Sequence, residues 1–597
     1  MQFAPPGAVT LGGLLGEALE ANRTGRLHHF IVDETSPAIA IFAPDRAATN
    51  DQGDWYGEHA GKWLIASTKA ACRSDDAGLL ARVRGVADWL IARQDADGYL
   101  GTYAPARRFM RKQAPKPPTW NGEPALRTWD IWTHSYLILG FIELHRATAD
   151  MRYLEAARRI GDLCWRTLTE GGISITELGN HFGLSASVLL DPAVELFSAT
   201  GEARYLDLAV LILAQLEADP GNRLLSEALS GADPSEIATG KAYQLLWNMV
   251  GVAKLHRATG DERYRTAALN IWQAVRDHHL TLGGGPWGGV AHRSREVFNA
   301  PGAFDPEGYV ETCSTMAWIQ LNRELLAITG DARFAQEIER SAYNDLLGAQ
   351  APDGENWCYY SFANGRRVHT TYWRCCKSSG AMALEELAPL AYGVTAAGEI
   401  CINLLGRSRA VLEIPGAGTV RVEQRTSYPF SEALEIAIDT GGARVPLLLR
   451  IPEWAEGAHV EGTDTMLEPG RYTRLETHGV VRVSLPMAPR LHRRTAHNVQ
   501  QSVAPDGSAV EQEVLRHDHV ALTSGPLVYA TGLVDGYKPI ETVRLDADPA
   551  RIGPDCTLLL GARDRAPIAF EPFYRASGRV HGAWRLTWLR LPPEEAA

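Results

Sequence analysis

Arg257-Ala-Thr-Gly-Asp-Glu-Arg-Tyr264 is one of four versions of a single phrase in this chain. The others are Arg146-Ala-Thr-Ala-Asp-Met-Arg-Tyr153, Ser198-Ala-Thr-Gly-Glu-Ala-Arg-Tyr205 and Ala327-Ile-Thr-Gly-Asp-Ala-Arg-Phe334. Each follows a stretch with helical apolar spacing and precedes another. Its glycine and acid read as the stop of one helix and the N-cap of the next. The phrase therefore marks the turn of a helical hairpin. Its closing aromatic residue recurs at intervals of 52, 59 and 70 residues, and a looser relative, Gln94-Asp-Ala-Asp-Gly-Tyr99, comes earlier. About six such hairpins would close into an α/α toroid, the first helix of each pair inside, with an open solenoid as the competing arrangement.

The repeat supplies a register. Eighteen residues before the acid of each phrase lie Trp132, Leu184, Tyr243 and Cys313, at the starts of the presumed inner helices. Inner helices of a toroid run parallel, so these starts share one rim. His134, Tyr243 and Cys313 are therefore expected around a common mouth, where Tyr243 and Trp247 could also stack on a sugar ring.

After residue 395 the pattern changes to two-residue alternation between Gly, Pro and Asp, as in Ala410-Val-Leu-Glu-Ile and Val480-Val-Arg-Val-Ser-Leu. This is β-sandwich material. The expected architecture is a multidomain α and β protein, an (α/α)6 barrel followed by one or more β-sandwich domains. The expected boundaries are 1–394 for the barrel, 395–535 for a sandwich and 536–597 for a C-terminal β segment. That last segment either forms a second small sandwich or adds strands to the first. The polar stretch Asn498 to Gln512 reads as a loop.

At 597 residues, 45% hydrophobic and 22% charged, the chain has the length of several domains and the composition of ordinary globular protein. A net charge of −12 offers no basic patch for nucleic acid, so a neutral or weakly charged small substrate fits better than a polyanion. No apolar run reaches the roughly 20 residues of a membrane span, and Met1 to Gly13 lacks the pattern of a signal peptide. Eight scattered cysteines do not make a disulfide framework, which agrees with a reducing, cytoplasmic setting. A homodimer is left open.

Glu311, Cys313, Cys375 and the adjacent Cys376 are the most chemical residues in the chain. One carboxylate and three thiolates suit a tetrahedral zinc ion. Side chains at i and i+2 diverge on a helix, and immediate neighbours diverge on helix and strand alike. Both pairs are therefore expected in irregular backbone.

Several segments together resemble glycoside hydrolase family 127, the β-L-arabinofuranosidase group. They are Trp55-Tyr-Gly-Glu-His-Ala-Gly-Lys-Trp63, Tyr309-Val-Glu-Thr-Cys313, Arg340-Ser-Ala-Tyr-Asn-Asp-Leu-Leu347, the Cys375-Cys376 pair, Leu449-Arg-Ile-Pro-Glu-Trp454 and Gly525-Pro-Leu-Val-Tyr529. The resemblance implies an (α/α)6 barrel with β-sandwich domains and a zinc ion held by Glu311, Cys313, Cys375 and Cys376. It further implies retaining hydrolysis, with Cys375 as nucleophile, Glu296 as general acid/base, and His134 and Tyr359 contacting substrate or nucleophile. The chain departs from the family at Gly240-Lys-Ala-Tyr243, where many relatives carry a histidine. Arg374 and Lys377 flank the cysteine pair in an unusual way. If Lys241, Arg374 or Lys377 reaches the pocket, the sugar could be acidic.

This chemistry is coherent by itself. Zinc and a helix N-terminus both favour a thiolate, and a glutamate can protonate a leaving oxygen and then deprotonate water. The alternative from another class is a non-catalytic glycan-binding protein whose zinc is structural. Epimerases and lyases also use such toroids, but there the thiolates have no evident task.

Overall fold

The computed structural model describes residues 1–50, 55–111, 128–288, 296–370, 374–442, 445–477, 479–534, 541–546, 549–552 and 556–593. The hairpin phrase folds as its residues dictate. Asp150, Asp261 and Asp331 accept the backbone N–H two residues on at 3.0, 2.9 and 2.9 Å, capping the helix that follows. Gly201, Gly260 and Gly330 end the preceding helices at φ of 71°, 74° and 68°, where a Cβ would be strained.

Among the described residues, twelve helices have ten or more residues. The inner ones are α2 (Glu58–Ser74), α4 (Asp130–Thr148), α6 (Leu190–Thr200), α8 (Ala242–Thr259), α10 (Thr312–Thr329) and α12 (Cys375–Leu390). The outer ones are α3 (Ala77–Ile91), α5 (Met151–Thr169), α7 (Ala203–Ala218), α9 (Glu262–His278) and α11 (Ala332–Ser341), with α1 (Gly13–Asn22) against α12. Each inner helix packs on the next and α12 closes back on α2, so the hairpins form a closed toroid. Burial follows position. Every residue from Ala242 to Leu255 of α8 is buried, whereas α9 buries only Tyr264, Ala267, Ala268, Ile271, Trp272 and Val275, one face of an amphipathic helix. At Gly61 a Cβ would lie 2.3 Å from the backbone carbon of Tyr136, so α2 and α4 meet backbone to backbone.

Toward the C-terminal ends of the inner helices, ion pairs line a pocket of about 770 Å³. Lys254 lies between Asp191 and Glu195 at 2.5 and 2.6 Å, and Glu386 holds Lys69 and Arg323, each at 2.7 Å. The mouth that the register defines is at the other end, where the inner helices begin.

The β part starts with the chain itself. Gln2–Phe3 joins Tyr392–Val394, Ile400–Ile402, Val445–Arg450 and Tyr472–Thr477 in a five-stranded sheet. Val9–Leu11 is the edge strand of a six-stranded sheet that runs through Ser408–Ile414, Gly418–Arg425, Ala433–Asp439 and Gly479–Ser484 to His459–Val460. Strict alternation of buried and exposed residues along Ser408–Ile414 is the sandwich signature. A third, seven-stranded sheet starts at Pro489–Val503 and takes strands from both the 395–535 and 536–597 segments, including Ile568–Pro572 and Leu589–Arg590. The expected loop from Asn498 to Gln512 is instead the outer part of a long hairpin, Pro489–Val503 with Ala509–Ser524. Backbone pairing there needs no buried apolar face, and Val503 and Val510 are both exposed.

Candidate active site

Five inner helices bring their first turns to the mouth with side chains that matter. Glu311 ends the strand Tyr309–Glu311 and directly precedes α10, Cys313 sits in the first turn of α10, and Cys375 and Cys376 open α12. The irregular backbone expected for both pairs is thus replaced by two helix starts. Adjacent side chains there diverge, but both can flank a point beyond the helix end.

The ligand atoms of Glu311, Cys313, Cys375 and Cys376 all lie within 4.8 Å of one another. Cys376 Sγ is 3.2 Å from Cys313 Sγ, 4.0 Å from Cys375 Sγ and 3.8 Å from Glu311 Oε1. Sulfurs placed around zinc at about 2.3 Å in a tetrahedron would be roughly 3.8 Å apart, so the cluster has the right size. Its electrostatics fit a cation as well. Hydrogen bonds from Cys313 and Cys376 hold the Cys375 thiol well below its ordinary value, while burial pushes Cys313 and Cys376 well above it. Burial also lifts Glu311 to about 7, and its Oε2 is buried without a hydrogen bond. Four crowded acids thus share little charge among themselves. A dication would satisfy the orphaned oxygen and ionise the thiols together.

Glu296 is held from three sides. Tyr359 and Tyr360 donate to its Oε1 at 2.8 and 2.9 Å, and Lys241 Nζ contacts its Oε2. Its backbone carbonyl accepts from Ala242 N at 3.1 Å, which fixes Glu296 to the start of α8. Lys241 Nζ also lies 4.0 Å from Glu311 Oε2. The Tyr359 hydroxyl is 3.5 Å from Cys375 Sγ, so it stands between Glu296 and the cysteine cluster.

Beneath the cysteines lies a pair that sequence reasoning left without a role. Lys62 and Glu58, one turn apart on α2 and fully buried, meet at 3.1 Å. Lys62 also donates to Ser379 Oγ at 2.9 Å, the same hydroxyl that lies 3.2 Å from Cys313 Sγ. Burial opposes the Lys62 charge, yet Glu58 and the nearby thiols hold its ammonium well above the usual value. Burial raises Glu58 to about 7. The signal was present in Glu58-His-Ala-Gly-Lys62, an acid and a lysine at helical spacing.

Tyr243 stands at the mouth as the register implies, its hydroxyl against that of Tyr136 and Lys62 Nζ 5.8 Å from its ring. His134 does not. It lies between α4 and the outer α5, with Nδ1 3.8 Å from Cys164 Sγ and the rings of Tyr99 and Phe109 at 5.3 and 5.6 Å. Burial lowers its imidazole to about 3. The reason is helical phase. Trp132 and Tyr136, one turn apart, face inward, where Trp132 donates to Glu58 Oε2 at 2.5 Å, and a residue midway between them must face out. Of the three cations flagged in the sequence, Lys241 contacts Glu296, Lys377 donates to Asn356 Oδ1 at 2.7 Å, and Arg374 is exposed.

No described helix is long and apolar enough to cross a membrane. Residues 17–388 match the family model of the β-L-arabinofuranosidase GH127 catalytic domain, and 399–487 that of its middle domain. A non-reducing end β-L-arabinofuranosidase of Bifidobacterium longum subsp. longum is 21% identical over 529 residues, 81% of this chain and 76% of the relative. Among solved structures, a GH127 β-arabinofuranosidase superposes with a TM-score of 0.77 at 18% identity, covering 100% of this chain and 98% of the other. A GH127 β-L-arabinofuranosidase from Geobacillus stearothermophilus T6 gives 0.74 at 19% identity, over 98% and 100%. With its catalytic-domain match spanning most of the toroid and its middle-domain match following directly, the chain belongs to glycoside hydrolase family 127.

Proposed function

We propose that the protein is a retaining glycoside hydrolase that removes a terminal β-L-arabinofuranosyl or closely related residue, with Cys375 as nucleophile and Glu296 as acid/base. The observation that carries this is the Tyr359 hydroxyl, 2.8 Å from Glu296 Oε1 and 3.5 Å from Cys375 Sγ. Those two spans bound the oxygen-to-sulfur separation below the roughly 6.5–9.5 Å that an inverting pair needs to admit water. They suit a double displacement.

Glu311, Cys313, Cys375 and Cys376 would hold zinc, which supplies positive charge and keeps the sulfurs as thiolates. Cys375 Sγ, at the N-terminus of α12, attacks the anomeric carbon as Glu296 gives its proton to the leaving oxygen. The sugar is then bound to sulfur. Glu296, now a carboxylate, takes a proton from water, and that water displaces the sulfur, restoring the first configuration. Tyr359 steadies both reacting groups, while Tyr360 and Lys241 fix the direction of the carboxylate. Because Lys241 already faces Glu296, an acidic sugar would have to open that pair to bind there.

A panel of aryl furanosides and pyranosides tests the reading, with uronic types included. The expected outcome is hydrolysis of the β-L-arabinofuranoside with retention, reduced about 10²–10⁴-fold in Glu296→Gln while fold and metal content persist. Zinc-loaded protein that hydrolyses none of the panel would point instead to glycan binding around a structural metal.

A further inference from the structure

Between the toroid and the third sheet lies a partly open cavity of about 180 Å³, and none of the cysteine cluster or Glu296 lines it. Its walls are aromatic, formed by Trp287, Phe304, Phe573 and Trp588, with Phe304 edge-on to Trp588 at 4.8 Å. Arg340 and Asp345 reach it from Arg340-Ser-Ala-Tyr-Asn-Asp-Leu-Leu347, and Val528 reaches it from Gly525-Pro-Leu-Val-Tyr529. Asn344 is explained by joining these two motifs, since its Oδ1 accepts from Val528 N at 2.8 Å and its Nδ2 donates to Pro526 O at 2.9 Å.

Asp345 is not explained by that junction. It is 5% exposed, and its Oδ2 accepts from Thr281 Oγ1 and Gly285 N at 2.6 and 2.7 Å. Among the described residues Oδ1 has no hydrogen-bond partner. That oxygen is not sealed from solvent, so it stands as an acceptor open to whatever enters the cavity. Asp345 also lies in a π-helical turn, Ala342–Leu346, an irregularity often found where a helix serves a ligand.

The lining specifies the occupant. Three arginines, Arg276, Arg340 and Arg494, and three aspartates, Asp277, Asp305 and Asp345, line the cavity, and Arg276 and Arg340 already pair with Glu337 behind the wall, so the lining is mixed in charge and favours a neutral occupant. Aromatic faces beside paired donors and acceptors suit the C–H face and hydroxyls of a sugar. A cavity of about 150 Å³ accepts a six-membered aromatic ring, so this one has room for one sugar ring rather than two. The cavity also backs onto the active site. Tyr360 donates to Glu296, and the next residue, Ser361, lines the cavity, as the two faces of one strand require.

We propose that this cavity is a second binding site, for a single neutral monosaccharide, separated from the catalytic groups by the strand Tyr360–Phe362. It does not depend on how Cys375 reacts. The test is equilibrium dialysis of the zinc-loaded full chain against labelled L-arabinose, D-xylose and D-galactose, for the wild type, Asp345→Asn and Phe304→Leu. At least one sugar should bind the wild type, and both variants should weaken that binding roughly tenfold or more, the scale of one lost hydrogen bond to an ionisable group. Unchanged circular dichroism melts exclude misfolding. Binding that is equal in all three proteins, or absent for all three sugars, overturns the proposal. Turnover of the aryl β-L-arabinofuranoside in the same samples reports separately on the catalytic reading, so either idea can fail alone.

Discussion

Cys375 and Cys376 are neighbours in one helical turn, yet their thiols are driven in opposite directions, the first toward ionisation and the second away from it. Only Cys375 also meets Tyr359, the link to Glu296. Cys375→Ser should therefore abolish nearly all turnover, because a serine hydroxyl is far less ionised and a poorer zinc ligand. Zinc content of the Cys375 and Cys376 variants separates loss of metal from loss of the nucleophile. A slow substrate should leave its adduct on Cys375 by mass spectrometry; an adduct on Cys376 or on a carboxylate overturns the assignment. Glu58 gives a second expectation. Burial lifts its carboxyl from 4.5 to about 7, so across that range the folded protein retains a proton that the unfolded chain releases. Its stabilising contribution is full below pH 4.5 and is lost as pH rises through about 7. Glu58→Gln should flatten the dependence of melting temperature on pH in that window. The sequence singled out the Glu311, Cys313, Cys375 and Cys376 group, whose ligand atoms the fold gathers, through donor chemistry and resemblance, and it placed Tyr243 at the mouth through register. It missed Lys62, whose importance lies in what surrounds it in space, and it misdirected His134, because a register locates a turn and not the face of that turn.

Helices were the most legible elements, since the phrase that ends each inner helix carries its own caps. The contact between two helices is less visible in sequence. Gly61 looks like a weak point in α2, but its missing Cβ is what lets Tyr136 of α4 approach. Gly61→Ala should cost about 1–3 kcal/mol by overpacking, measured by denaturant unfolding. Elsewhere in a helix interior the same change would gain about 1 kcal/mol, so the sign is diagnostic. Strands were legible where one face is buried, as in Ser408–Ile414, and illegible in the hairpin arm around Val503 and Val510, which is exposed. Polar sequence there reflects solvent, and register comes from the turn.

At the scale of the whole molecule, one buried side chain joins toroid to sandwich. Arg450, within the strand Val445–Arg450, contacts Glu339 of α11, donates to Gln336 Oε1 at 2.9 Å and reaches Asn403 O at 2.5 Å. Arg450→Met would strand the Glu339 carboxylate in the interior, and a loss of about 3–5 kcal/mol is expected in equilibrium unfolding. The N-terminal strands carry a different consequence, one of timing. Gln2 pairs with Val394 and Val9 with Ala410, so two segments made before the toroid belong to sheets whose partners are made only after it. Hairpins can pack as they emerge, each on the one before, but these strands must wait. During that interval they are unpaired edges in search of a partner. The nascent chain should be most vulnerable to misassembly before Val394 and Ala410 appear, and proteolysis of stalled chains of graded length would reveal residues 2–3 and 9–11 becoming protected only once those respective points are passed.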